Sequence, residues 1–194
     1  MKRIDFQNVI RRGKLFEDPQ FPAHMDSILD KSMQHNSRVK KWETLTWLRP
    51  RDVYGRGNYA LFDSIDPSDI KQGDCGDCYF LSGLASLAES PDRVRSLFLT
   101  QELNEAGCYA LKFYIGGEPV TVVVDDRFPY CQHKEQWAFT RTSSSNEIWV
   151  LLIEKAWAKI FGSYQRIEAG LTGESFPALT GCPAQILMHA GNLS

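Results

Sequence analysis

The hydrophobic positions change their period along the chain. Between Tyr79 and Glu89, Phe80, Leu81, Leu84, Ala85 and Ala88 recur at helical spacing and Leu87 widens the stripe, which predicts a helix with one buried face. Ser90-Pro91-Asp92 marks a stop and a restart, with a second short helix over Arg93 to Leu99. The period then becomes two: Tyr109, Leu111, Phe113 and Ile115 alternate with Ala110, Lys112 and Tyr114. Gly116-Gly117 and the β-branched run Val120 to Val124 follow, and together they predict a hairpin. Ile148 to Phe161 is strongly apolar and closed by Gly162, a third helix. Helices and a small antiparallel pairing thus occupy separate blocks, which predicts an α+β fold rather than alternating βαβ units.

Elsewhere the pattern is weaker. Residues 1–14 carry Arg11-Arg12-Gly13-Lys14 and read as a solvated lead-in. Leu15 to Ala23 combines two phenylalanines with two prolines, an extended segment pinned by Phe16 and Phe21. Residues 26–35 suit a short helix. Lys40 to Asp69 has no steady period but repeats aromatics at Trp42, Trp47, Tyr54, Tyr59 and Phe62, which describes an irregular strap with aromatic anchors. Thr140 to Asn146 is a polar loop, Asp125-Asp126 a turn at the end of a strand, and the tail from Gly170 onward is rich in Gly, Thr and Pro and ends without an obvious cap. Trp149 and Trp157 read as core residues.

Composition narrows the function classes. The 194 residues include 22 basic and 24 acidic side chains, a formal charge of −2, with 43% hydrophobic positions. A chain so balanced has no basic field, which argues against nucleic acid as a partner. The longest apolar run is far too short to span a bilayer, and the first residues lack the apolar core of a secretory signal. The five cysteines are odd in number. Reduced thiols and a cytoplasmic setting are therefore expected.

The chemistry concentrates in Gln72-Gly73-Asp74-Cys75-Gly76-Asp77-Cys78-Tyr79. Cys78 stands where a glycine-rich turn gives way to the first predicted helix, and a thiolate is favoured at a helix N-terminus. Gln72, across the turn, offers a side-chain amide that can join the Cys78 backbone N–H in stabilising an oxyanion. Other readings of Cys78 are a small buried hydrophobe, half of a zinc site with Cys75, or a redox dithiol. The zinc site lacks a second ligand pair among Cys108, Cys131 and Cys182, and the dithiol lacks a preceding βαβ strand.

This segment resembles the nucleophile turn of the calpains, the papain-like calcium-dependent cysteine endopeptidases. Asp77 separates it from the papain signature. Leu15-Phe16-Glu17-Asp18-Pro19 with Phe21-Pro22-Ala23, Trp47-Leu48-Arg49-Pro50, Asp69-Ile70-Lys71-Gln72, Val122 to Asp126, Asn146-Glu147-Ile148-Trp149, and Glu154 to Lys159 with Gly162-Ser163-Tyr164 all fall in the family's order. The departures are Pro67 for a basic residue, Ser64 for Gly, Cys182 for the second Gly of Thr-Gly-Gly, and Tyr79 for Trp.

The resemblance implies the Cys-bearing subdomain of a protease core over residues 15–182, mostly helical, with a central nucleophile helix and a small antiparallel hairpin or sheet. Residues 183–194 would be a tail or the truncated start of the second subdomain. It implies Cys78 as nucleophile and Gln72 in the oxyanion hole, acting on a protein or peptide substrate. The His and Asn of the family's second subdomain are not identified. Papain-type spacing puts the His about 130–150 residues after the Cys, past Ser194. His189, followed by Asn192, is the one candidate within the chain; His24, His35 and His133 read as surface residues. The chain is therefore expected to be inactive alone and to need a second subdomain in cis or trans. The alternative is a non-catalytic module that binds a peptide or partner. The resemblance also implies Ca²⁺, held by the Asp69 and Glu147 carboxylates and the Phe62 and Ser64 carbonyls. Without it, Asp69 caps a turn and Glu147 a helix.

Overall fold

A computed structural model describes residues 3–33, 37–141 and 146–185. The chain forms α1 (Phe6–Arg12), α2 (Ser37–Lys40), β1 (Thr46–Leu48), α3 (Pro50–Tyr54), α4 (Cys78–Ala88), α5 (Pro91–Arg95), β2 (Cys108–Ile115), β3 (Glu118–Asp125), β4 (Phe128–Cys131), β5 (Gln136–Trp137), α6 (Trp149–Phe161) and α7 (Thr172–Thr180). Helices outweigh strands, and the strands pair antiparallel in two small sheets, ordered β1-β4-β5 and β2-β3. This is the α+β half expected of the protease core.

The strongest periodicities form the elements they predict. The β2–β3 hairpin runs in register from Cys108 opposite Asp125 to Ile115 opposite Glu118. Gly116 and Gly117 turn it at φ 62° and 85°, a geometry that glycine adopts without strain. In α6, Val150 to Ala158 are all buried, and Gly162 closes the helix in the left-handed region with its N–H on the Ala158 carbonyl. Phe80 of α4 stacks on Trp157 of α6, centroids 4.7 Å apart. These two helices carry the main core, and Trp149 and Trp157 lie within it.

Three expectations are corrected. Residues 6–12 are not a solvated lead-in: Asp5 caps α1 through the Asn8 N–H, and Ile4, Phe6, Val9 and Ile10 pack on Ala106, Cys108, Ala110 and Val123 of the hairpin side. Of the helix expected over 26–35, the described residues 26–33 hold instead a 3₁₀ turn, Met25–Ser27, whose Ser27 hydroxyl donates to the Pro22 carbonyl; the rest of that span lies outside the described residues. The strap does carry regular structure, including β1 and α3, although its aromatics do anchor it; Trp42 is buried edge-on to Phe139. Beyond the elements that the pattern predicts, α7 forms despite Pro177 in its interior. It packs on α4 where Gly83 leaves room, since a Cβ there would lie 2.7 Å from Ser175 Oγ.

Asp125-Asp126 is more than a turn. Both side chains are buried. Asp125 receives the ammonium of Lys155, the guanidinium of Arg127 and the Asp18 N–H at 2.8 Å. Burial raises its carboxyl, but Lys155 and these hydrogen bonds overcome that and hold it below the ordinary carboxylate range. Asp126 pairs with buried Arg49, which also donates to the Phe16 carbonyl at 2.7 Å. Lys159 reaches Asp18 at 2.6 Å and the Val123 carbonyl at 2.6 Å. The Phe16–Asp18 segment, β3 and α6 are thereby joined through satisfied buried charges.

Candidate active site

Asp77 is the N-cap residue of α4 and Cys78 its first helical residue. The Asp77 carbonyl accepts from the Phe80 N–H at 2.8 Å and the Leu81 N–H at 3.1 Å, which starts the helix. The next two side chains, Tyr79 and Phe80, are buried, whereas Cys78 is exposed. A buried helix thus carries an open thiol at its positive end. The buried Cys75 thiol donates to the Tyr164 carbonyl at 3.7 Å. Cys75 and Cys78 therefore occupy opposite environments.

The turn before Cys78 is stitched to the segment before α6. Lys71 and Arg141 exchange backbone hydrogen bonds of 3.1 and 2.8 Å, and the Asp74 N–H donates to the Ala138 carbonyl at 2.9 Å. Gly73 lies so close to that segment that a Cβ would sit 1.6 Å from the Phe139 carbonyl oxygen. On the other side the Gly76 carbonyl accepts from the Ala169 N–H at 2.9 Å, and the Gly76 N–H donates to Glu168 at 3.3 Å. Lys134 pairs with Asp74 at 3.2 Å. Gln72 is exposed, and its Nε2 donates to the Cys75 carbonyl at 2.8 Å. That bond orients the amide and uses one of its two N–H groups, leaving the other for an incoming acceptor. Gln72 and Cys78 therefore belong to one braced turn.

Tyr79 braces the far side. Its hydroxyl accepts from the Trp157 indole at 3.1 Å, and burial raises its phenol. Its ring fills the space at Gly170, where a Cβ would lie 2.6 Å from it.

The candidate calcium ligands divide into two joined groups. Glu147, fully buried, accepts from the Ser64 N–H at 3.0 Å and from the Trp149 indole at 2.6 Å. The Ala60 carbonyl accepts from the Ile148 N–H at 3.0 Å, so the strap around Phe62 and Ser64 runs beside the loop that carries Glu147. Asp69 is buried in the 3₁₀ turn Pro67–Asp69 and accepts from the Asp66 N–H at 2.8 Å, closing a capping box. The turn-capping role read for Asp69 is realised; the α6 N-cap residue is Ile148 rather than Glu147. Among the described residues no three or more His, Cys, Asp or Glu side chains cluster to hold a metal. The donor set of two buried carboxylates and backbone carbonyls is all hard oxygen, a chemistry that suits Ca²⁺.

The described histidines are engaged elsewhere. His24 is exposed and accepts from the Asp26 N–H at 3.3 Å, and exposed His133 lies 3.2 Å from the Cys131 thiol. His35, His189 and Asn192 lie outside the described residues. Sequence reasoning missed Glu154, Glu168, Gly170 and the tight fit of Gly73. Only the Gln-Gly pair and the Glu154-Lys155 run carried a signal for any of them.

No helix among the described residues is long and apolar enough to cross a membrane. Residues 16–192 match the calpain family cysteine protease family. The rice protein named calpain-type cysteine protease ADL1 is 39% identical over 187 residues, covering 93% of this chain and 8% of its own length. Rat calpain-13 is 33% identical over 174 residues, 89% of this chain and 25% of its own length. Fruit-fly calpain-A is 33% identical over 172 residues, 87% of this chain and 20% of its own length. The chain thus spans a quarter or less of each of these relatives.

Proposed function

The chain belongs to the calpain family of cysteine proteases, and on that footing we propose that it is the nucleophile-bearing half of a peptide-hydrolysing site in a longer protein. Residues 15–182 are the Cys-bearing subdomain, and 183–194 are a tail or the start of the second. The observation that carries this reading is the exposed Cys78 thiol at the first turn of buried α4, on the same braced turn as the Gln72 amide.

The Cys78 thiolate attacks the carbonyl carbon of a protein or peptide substrate. The Cys78 N–H and the remaining Gln72 N–H stabilise the oxyanion. A histidine of the second subdomain takes the thiol proton and returns it to the leaving amine, and an asparagine there orients the imidazole. Water then releases the acyl group. General-base assistance is worth about 10²–10⁴ in rate, so the isolated chain turns over little or nothing. Asp69, Glu147 and the Phe62 and Ser64 carbonyls would hold Ca²⁺, which supplies a cross-link between the strap and the loop before α6. All five cysteines are thiols rather than disulfides, which suits a reducing, cytoplasmic setting.

Hydrolysis of a quenched fluorescent peptide tests this. The 194-residue chain should give no turnover with calcium or chelator. A chain extended through the second subdomain should give calcium-dependent turnover that Cys78→Ser abolishes. Turnover that survives Cys78→Ser would refute the assignment. Turnover by the 194-residue chain itself would refute its incompleteness and point to His189.

A further inference from the structure

A second thiol stands beside an imidazole, away from Cys78. Cys131 ends β4, and the 3₁₀ turn Gln132–Lys134 follows it before β5. Cys131 pairs with Gln136 across the two strands, so the sheet holds both ends of the turn. Glu135 closes it at φ 49°, its N–H on the Gln132 carbonyl at 3.2 Å. The curl brings the His133 ring back to the residue two places before it. Cys131 Sγ lies 3.2 Å from Nδ1 and 3.7 Å from Nε2. Cys131 is only 4% exposed, whereas His133 is open to solvent.

A buried cysteine packs as a small hydrophobe and needs no polar partner for its own sake. A thiolate and an imidazole together are the ligand types that select zinc-like transition ions, whereas calcium takes oxygen. In a tetrahedral zinc site the metal lies about 2.3 Å from sulfur and about 2.0–2.1 Å from nitrogen, which sets those two ligands about 3.6 Å apart. The observed separations of 3.2 and 3.7 Å bracket that edge. Binding requires the thiol to release its proton to solvent as the metal–sulfur bond forms. Entry is from the side of the exposed imidazole. Water completes the coordination, because among the described residues no third His, Cys, Asp or Glu joins the pair.

We propose that Cys131 Sγ and a ring nitrogen of His133 chelate a zinc-like divalent ion. The donors differ from the oxygens read for Ca²⁺ in residue and in chemistry. The site adjoins the nucleophile turn, because Lys134, the residue after His133, pairs with Asp74 at 3.2 Å. The chelate stands independently of the reading of Cys78 as nucleophile.

The test uses the 194-residue chain carrying Cys78→Ser and Cys182→Ser, which removes the two exposed thiols that would also take metal. The probes are Co²⁺ and Zn²⁺. One equivalent of Co²⁺ should give a thiolate-to-metal charge-transfer band, and Zn²⁺ should displace it. Two protein ligands supply about half the binding free energy of a structural zinc site, so the zinc Kd should be about 1–200 μM. His133→Ala changes an exposed side chain and should weaken Co²⁺ binding at least about tenfold. Cys131→Ser should abolish the band, and a large excess of Ca²⁺ should leave it unchanged. No band in the double variant, or equal Co²⁺ affinity after His133→Ala, would overturn the chelate even if Cys131→Ser fails to fold. Displacement by Ca²⁺ would overturn the assignment to a thiolate–imidazole site. None of these readouts needs peptidase activity, so failure here is distinct from failure of the proposed reaction.

Discussion

Replacing Gly73 by alanine places a Cβ 1.6 Å from the Phe139 carbonyl oxygen and 2.6 Å from that of Ala138, where real Cβ contacts essentially never fall below 3.0 Å. Both obstacles are backbone, so no rotamer change relieves them. The two segments must part by roughly 1.4 Å, and a shift of that size breaks the Asp74-to-Ala138 bond and strains the two between Lys71 and Arg141. At about 0.5–1.5 kcal/mol for the broken bond and up to as much for each strained one, the loss is about 0.5–4.5 kcal/mol. Gly116→Ala is the control, because its site is open but its φ is +62°, and its expected cost is the conformational penalty alone, about 1–2 kcal/mol. Urea unfolding measures both. The displaced turn carries Gln72, and a misplacement near 1 Å costs about 10²-fold in a positioned reaction. Hydrolysis by the extended chain should fall accordingly. A Gly73→Ala variant within about 0.5 kcal/mol of wild type, with unaltered hydrolysis, would refute the claim that close packing sets this turn.

Four further outcomes are expected. Lys155→Met leaves Asp125 buried with a partner removed and should cost about 3–5 kcal/mol in urea unfolding. The wild type itself should weaken as pH falls below the ordinary carboxylate range, because the folded Asp125 resists the proton that the unfolded one takes up. Brief alkylation of the native chain near pH 8 should label Cys78 and Cys182, the exposed thiols, and spare Cys108, whose thiol burial pushes up to about 12; all five should label in denaturant. Calcium should raise the melting temperature of the wild type but not of Glu147→Gln, and equal shifts in both would remove Glu147 from the ligand set.

Local pattern sufficed for α4, the β2–β3 hairpin and α6, because each buries a stripe whose spacing is written in consecutive residues. It also located the candidate nucleophile turn, because a helix start after a glycine-rich stretch is a local event. It failed where a distant segment decides. α1 is a helix because an apolar face lies against β2, and α7 packs on α4 because Gly83 leaves room for Ser175. Asp125 and Asp126 looked like turn residues, since nothing near them in sequence announces Lys155 or Arg49. A buried charge takes its protonation and its role from the partner it meets in the interior, and that meeting exists only in the folded chain.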